Sequence, residues 1–414
     1  MYGSRIDPWG NDPPVDGAST VGQALIAVGA HVFTNSTARS PALARALKRG
    51  ISIAVLLGAC AAPTLAAAAN YVVTTSADSG AGSLRAAITS ANGAAGADTI
   101  TFTNTGAITL ASALPAITES LSVAGTFGAT IIDGADLYRG FVVIGPGTVT
   151  ISNLTIRNTR AAGTVGGSGN VYGAGGGGGF GGGAGILLGG GSPSVTISGV
   201  TFQNAVAVGG AGGTCPGNGN LGGTGGNAGF PGSVGGSGGA NGGPFATDGV
   251  LGGGGGGSGG GSSNGGNGVG GGGGGASPGT TPGTSTFLGG TGGVPGMWAG
   301  SGGGGGAAGA AVFAFTGAAT VTNSGQLGGL SATAGLAGAI GGTDRCSVAG
   351  AAGSVGTVDL AAAPGATVTG SLISGSPLPP APAPVPTLSE WAMILFGTLL
   401  AGGAALYIQR RQMV

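Results

Sequence analysis

The stretch Val149-Thr150-Ile151-Ser152-Asn153-Leu154-Thr155-Ile156-Arg157-Asn158 recurs as Val195-Thr196-Ile197-Ser198-Gly199-Val200-Thr201-Phe202-Gln203-Asn204. Its Val-x-Ile and Leu-x-Ile alternation has a period of two, so one face of each run turns inward. Each copy is too short to bury a core alone, which predicts stacking of one copy on the next. Stacking sets Val149, Ile151, Leu154 and Ile156 over Val195, Ile197, Val200 and Phe202. It also sets Asn158 over Asn204 at a corner of the chain, where an Asn ladder satisfies backbone groups. Weaker copies read at 320–324 and 366–374. Short β-rich runs upstream, such as Tyr71-Val72-Val73-Thr74-Thr75 and Thr99-Ile100-Thr101-Phe102, are closely followed by Gly, Asn or Asp. The body, 70–376, therefore reads as all-β: a parallel β-solenoid.

One segment breaks the pattern. In Ser83-Leu84-Arg85-Ala86-Ala87-Ile88-Thr89-Ser90-Ala91-Asn92, the residues Leu84, Ala87, Ile88 and Ala91 share one helical face. Gly93 ends the helix. A short amphipathic helix over the first coil is the cap that a solenoid end requires.

The opening of the body also carries a resemblance. Thr75-Ser76-Ala77-Asp78-Ser79-Gly80-Ala81-Gly82-Ser83-Leu84-Arg85-Ala86-Ala87-Ile88, then Ala91-Asn92 and Gly96-Ala97-Asp98-Thr99-Ile100-Thr101-Phe102, is similar to the start of bacterial surface β-helix proteins. These include polymorphic outer-membrane-type and adhesin-like passengers. Ile131-Ile132-Asp133-Gly134 with Arg139-Gly140-Phe141 fits the same pattern. The resemblance implies a right-handed parallel β-helix on a cell surface. It implies no single activity, because the fold hosts enzymes, adhesins and inert scaffolds.

Gly supplies 104 of the 414 residues, and about two-thirds of them fall in 161–310. Ordinary chains hold ~7% Gly. The runs are irregular, which excludes the strict triplet of collagen. They read as Gly-rich insertions at solenoid corners, with packing as polyglycine-type helices left open. Apolar residues dot these insertions: Val171, Tyr172, Phe180, Phe230, Phe245, Phe287, Met297 and Trp298. They either pin the insertions to the body or contact a partner.

The two ends read as processing signals. Residues 1–44 are an N-terminal extension that reads either as an extended n-region or as a sign that the true start lies downstream. Residues 45–69 form a basic n-region, an apolar run and small residues ending Ala67-Ala68-Ala69, the layout of a signal peptide cut near Asn70. Leu57-Gly58-Ala59-Cys60 resembles a lipoprotein box, which makes Cys60 the lipidation candidate. At the other end, a Pro-rich linker (377–386) leads into Val385-Pro386-Thr387-Leu388-Ser389-Glu390-Trp391, an apolar span (391–408) and Arg410-Arg411. The span just reaches transmembrane length, and the arginines would stay cytoplasmic. This tripartite tail, 385–414, resembles the IPTL-type C-terminal sorting signal of Gram-negative bacteria, with Val385 in place of the usual Ile. The resemblance implies an exosortase-like sorting protease as partner, besides a signal peptidase. The plain alternative is a membrane anchor.

The available chemistry is sparse. Charged residues make up 6% of the chain, with twelve Lys and Arg against twelve Asp and Glu. No basic excess exists to neutralise phosphates, so nucleic acid is not an expected partner. Residues 70–414 contain no His and no Lys. That excludes His-based triads, His-ligated metals and Schiff-base chemistry there. No metal and no cofactor is expected. Asp133, Asp136 and Arg139 form the tightest charged cluster and are the weak catalytic candidates, since β-helix hydrolases and lyases use clustered Asp and Arg. The competing reading of Asp133-Gly134 is a turn pair. Cys215 and Cys346 form an even pair in an exported body and are the disulfide candidate.

The resulting expectation is an exported, non-enzymatic surface or matrix protein, structural or adhesin-like. It passes the inner membrane as a precursor and meets surface polysaccharide or neighbouring cells. The rivals are a β-helix polysaccharide lyase or hydrolase and a lipoprotein anchored through Cys60.

Overall fold

The computed structural model describes residues 67–103, 106–169, 173–215, 221–240, 245–259, 264–295, 299–339 and 348–375. In chain order the elements are β1 (Asn70–Val73), α1 (Leu84–Gly93), β2 (Asp98–Phe102), β3 (Ala107–Thr109), β4 (Leu121–Ala124), β5 (Ile131–Asp133), β6 (Phe141–Val143), β7 (Thr148–Ser152) and β8 (Thr155–Ala162). Then come β9 (Gly181–Gly182), β10 (Ile186–Leu188), β11 (Ser194–Ser198), β12 (Thr201–Val208), β13 (Ala307–Ala308) and β14 (Val312–Ala314). β15 (Ala318–Leu327), β16 (Ser331–Thr333), β17 (Leu360–Ala362) and β18 (Thr367–Ser374) complete the series.

Every pairing between these strands is parallel. The largest sheet holds two columns. One runs β1-β2-β4-β7-β11-β15, the other β3-β5-β8-β12-β15, and the long β15 belongs to both. A separate sheet stacks β6, β10, β14 and β17. From β4 onward the chain visits first column, second column and separate sheet in rotation, then returns one position further along each.

The repeat that opened the reading pairs in the expected register. Val149 lies beside Val195, Ile151 beside Ile197 and Ile156 beside Phe202. The ladder continues to Ala319 and Val321 in β15, while Leu121 and Val123 of β4 precede it. All of these side chains are buried in one core. Each buried Val, Leu, Ile or Phe contributes about 1.5–3 kcal/mol of transfer free energy, an upper estimate against a compact unfolded chain.

Corners are made by residues that tolerate the left-handed region. Asn153 (φ 55°), Gly199 (φ 63°) and Asn323 (φ 42°) follow the paired residues Ser152, Ser198 and Thr322. Asn158 (φ 48°) and Asn204 (φ 51°) form the second corner. Asn is among the few side chains that visit this region without large cost.

The helix forms at Leu84–Gly93, over the residues whose spacing predicted it. Leu84, Ala87, Ile88 and Ala91 are its buried residues, and the Ser83 hydroxyl accepts from the Ala86 N–H. Arg85 donates to the Asp78 carboxylate at 2.6 Å and to the Ser112 carbonyl at 2.9 Å. Asn92 donates to Ala116 O and accepts from Thr118 N–H, tying the helix to the next coil.

The Gly-rich segments lie between β8 and β10, between β12 and β14, and between β16 and β17. They are built as an interlocked bundle. Along 174–181, N–H donation rotates through three neighbours with a period of three. Ala174, Gly177 and Phe180 donate to Ser258, Gly255 and Gly252; Gly175, Gly178 and Gly181 donate to Gly300, Gly303 and Gly306; Gly176 and Gly179 donate to Gly167 and Thr164. Three further segments donate back: Gly210 and Gly213 to Gly179 and Gly176, Gly223 and Gly226 to Ala174 and Gly177, Gly272 and Gly275 to Gly178 and Gly175. The segment around Gly177 thus has neighbours on six sides. Three residues per turn is the geometry of polyproline II, which has no internal hydrogen bonds. Its peptide groups are satisfied only by neighbours, so the segments are expected to form cooperatively.

Glycine is required there by closeness. A Cβ on Gly177 would overlap the carbonyl oxygen of Gly272. With side chains absent, the bundle rests on peptide hydrogen bonds of about 0.5–1.5 kcal/mol net each, plus weaker Cα–H···O contacts.

The bundle docks through aromatic rings. Val142, Leu187, Phe313 and Ala361 align along the separate sheet. They face away from the main core and meet Phe180, Phe230, Phe287 and Phe315. Phe180 lies 4.6 Å from the Phe313 centroid and 5.3 Å from that of Phe315. Phe180, Phe230 and Phe287 therefore pin the insertions to the body. Phe245 is 71% exposed and does not. Val171, Tyr172, Met297 and Trp298 lie outside the described residues.

Candidate functional site

The three charged candidates sit on the turn between β5 and β6, and the turn sends them different ways. Asp133 ends β5 with its carboxylate along the second column. It accepts from Arg157 Nε at 2.7 Å, from the Asn158 side chain at 3.1 and 3.2 Å, and from the Ala135 N–H at 3.0 Å. Asn204 in turn donates to Asn158 Oδ1 at 3.1 Å. The predicted Asn ladder is therefore present, and Asp133 is its first rung. Asp136, in the left-handed region at φ 60°, is exposed.

Arg139 points into the junction with the Gly bundle. It is 8% exposed and donates to the carbonyls of Gly182, Gly229 and Ala228, the last two at 2.7 and 2.6 Å. Its guanidinium lies 5.7 Å from the Phe230 centroid, a cation–π contact. Burial pulls its pKa down to about 10. A groove of about 200 Å³ opens beside it, walled by Leu114, Tyr138, Val142, Arg160, Phe230 and Pro231. This is below the ~300 Å³ at which ligand pockets usually begin. The structure thus gives Asp133 and Arg139 separate partners and does not join them in one site. Arg157, which the sequence reading left unassigned, is the cation that Asp133 meets.

The Asp133 pair makes a pH prediction. Burial disfavours the charged carboxyl, but donation from Ala135, Arg157 and Asn158, with the Arg157 charge, outweighs it and holds the pKa below the ordinary value. Stabilisation is then present above the unfolded value of about 3.9 and is lost as pH falls through the depressed one. Arg157 is 35% exposed on its side chain, so screening discounts the pair to about 1 kcal/mol. Asp133→Asn is expected to lose that amount in urea unfolding at pH 7, and the difference from the wild type is expected to shrink as the pH falls below about 3.9. A difference that persists unchanged in acid would contradict the assignment.

Cys215 is buried and disulfide-bonded. Cys346 and Cys60 lie outside the described residues. Among the described residues, no group of three or more His, Cys, Asp or Glu could hold a metal ion, and no helix is long and apolar enough to cross a membrane. The apolar span 391–408 and the residues Val385, Pro386, Thr387, Leu388, Trp391, Arg410 and Arg411 also lie outside the described residues.

Comparison with known proteins bears on that tail. The IPTL-CTERM motif matches residues 383–412. No curated protein and no solved structure matches the chain. The motif marks a C-terminal sorting tail, processed by an exosortase-like system, on an exported protein.

Proposed function

We propose that the chain is an exported cell-surface or extracellular-matrix protein with a right-handed parallel β-helix body and a structural or adhesin-like role. The observation that carries this is the sorting motif at 383–412 behind a body of stacked parallel strands. The rotation of the chain through three strand stacks supports the solenoid. The signal peptide, which starts at residue 45 and is cut near Asn70, delivers the precursor to the inner membrane, and the segment 391–408 holds it there for the sorting protease. Asp133 and Arg139 serve the architecture, which supports a non-enzymatic role. A Cys215–Cys346 disulfide would tie the bundle to a late coil. Surface polysaccharide or neighbouring cells are the partners that fit this placement.

Cell fractionation tests the reading. Wild-type protein is expected at the surface or in the medium. A chain with Val385, Pro386, Thr387 and Leu388 all replaced by Ala is expected to stay in the membrane fraction. Equal distribution of the two would remove the sorting role of the motif.

A further inference from the structure

Asp98 opens β2 and is 2% exposed. Its Oδ1 accepts from the Ala69 backbone N–H at 2.8 Å. Its Oδ2 is buried with no hydrogen-bond partner. Neither ion pair among the described residues involves it. A buried carboxylate with one idle oxygen and no counter-charge is costly, and the fold holds it against one nitrogen. The register fixes that approach: Asn70 pairs with Thr99, and Thr99 N–H donates to Ala69 O at 2.8 Å. Ala69 is thus the lateral neighbour of Asp98.

Ala69 also lies where the leader is expected to end. The small-residue rule that places a small side chain at the first and third positions before a cut allows two sites here. Ala66 and Ala68 allow cleavage before Ala69; Ala67 and Ala69 allow cleavage before Asn70. The structure distinguishes them. Cleavage before Asn70 discards the nitrogen that Asp98 holds. Cleavage before Ala69 turns that nitrogen into the chain terminus.

We propose that the leader is cut between Ala68 and Ala69, and that the new α-ammonium of Ala69 forms an ion pair with buried Asp98 that locks the first coil. Hydrolysis by a signal-peptidase-class protease consumes one water. The water oxygen ends on the Ala68 carboxylate of the released leader, and both its protons end on the Ala69 nitrogen. The ammonium then has three N–H donors in place of one, enough to reach Oδ2 as well as Oδ1. The mature chain gains a contact that the precursor lacks. This assignment rests on the export reading and adds to it the cut site and its structural consequence.

Residues 69–414 contain no Lys, so the terminal amine is the only primary amine of the mature chain. Terminal-peptide mass spectrometry of the protein recovered from the cell surface is expected to find a chain starting at Ala69. A start at Asn70 or Cys60 would overturn the proposal while leaving export intact. A chain that retains the residues before 45 would instead remove the signal-peptide reading beneath it. On the recovered protein, labelling with an amine-reactive reagent at pH 7 is expected to be about tenfold slower than in Asp98→Asn, since the pair raises the α-amine by about one unit above its usual ~7.7–8.0 and, at a pH below that value, each unit cuts the neutral fraction about tenfold. Should Asp98→Asn fail to fold, the wild type is compared with itself in urea, where labelling is expected to accelerate by the same factor. Equal rates in native and unfolded chain would overturn the ion pair.

Discussion

Gly177→Val is expected to destabilise the protein by about 3 kcal/mol or more, near the top of the range for overpacking. The added Cβ alone would overlap the Gly272 carbonyl oxygen, and that carbonyl belongs to backbone, not to a side chain that can rotate away. Gly177 is also bonded on both sides. Its N–H reaches Gly255 O, and its own carbonyl takes the Gly226 N–H, each at 2.8 Å. Parting the segments to admit a side chain therefore breaks hydrogen bonds along several of them together. Urea unfolding followed by circular dichroism measures the loss. Gly93→Ala is the control, because its Cβ meets nothing within 4 Å and its φ is not in the left-handed region. That change is expected to be neutral or to stabilise by up to about 1 kcal/mol. Equal effects at the two positions would mean that the bundle is not close-packed.

Phe180→Ala is expected to cost about 3–5 kcal/mol, the usual range for a buried Phe. Phe180 is fully buried and joins Phe287, Phe313 and Phe315, with centroids at 5.8, 4.6 and 5.3 Å. It ends the central Gly segment and stands on the outer face of the separate sheet. Its loss should undock the bundle before the stacked strands separate. Amide hydrogen exchange is expected to speed up at 174–179 while Ile151 and Ile197 in the main core keep their protection. Phe245→Ala, at an exposed position, is expected to stay within about 0.5 kcal/mol of the wild type. Uniform acceleration across both regions would show one cooperative unit in place of a docked bundle.

The parts that could be read in the sequence are those where side chains carry the information. The alternation in 149–158 and 195–204 fixes which face is buried and which residues align, because a one-residue slip would expose every core side chain. The spacing of Leu84, Ala87, Ile88 and Ala91 gives the helix. Asn158 and Asn204 mark a corner by their shared phase. The sequence leaves the bundle open as polyglycine-type packing without deciding it, because its order lies in backbone hydrogen bonds, and a Gly run shows the same letter for every phase of its three-residue period. The charged cluster misled for a different reason. Asp133, Asp136 and Arg139 are close in sequence, but a turn separates their side chains. The true partner, Arg157, is one coil later, and aligning Ile132 with Ile156 would have placed it beside Asp133. The role of Asp98 was not legible either, since its partner is a backbone nitrogen.

The central claim, export with processing at the sorting tail, is tested most directly by the intact mass of the protein released to the surface or medium. A mass corresponding to a chain that begins at Ala69 and ends near the Val385-Pro386-Thr387-Leu388 motif is the predicted result. A chain that still ends at Val414 and is confined to the membrane would contradict it and reduce the tail to an anchor.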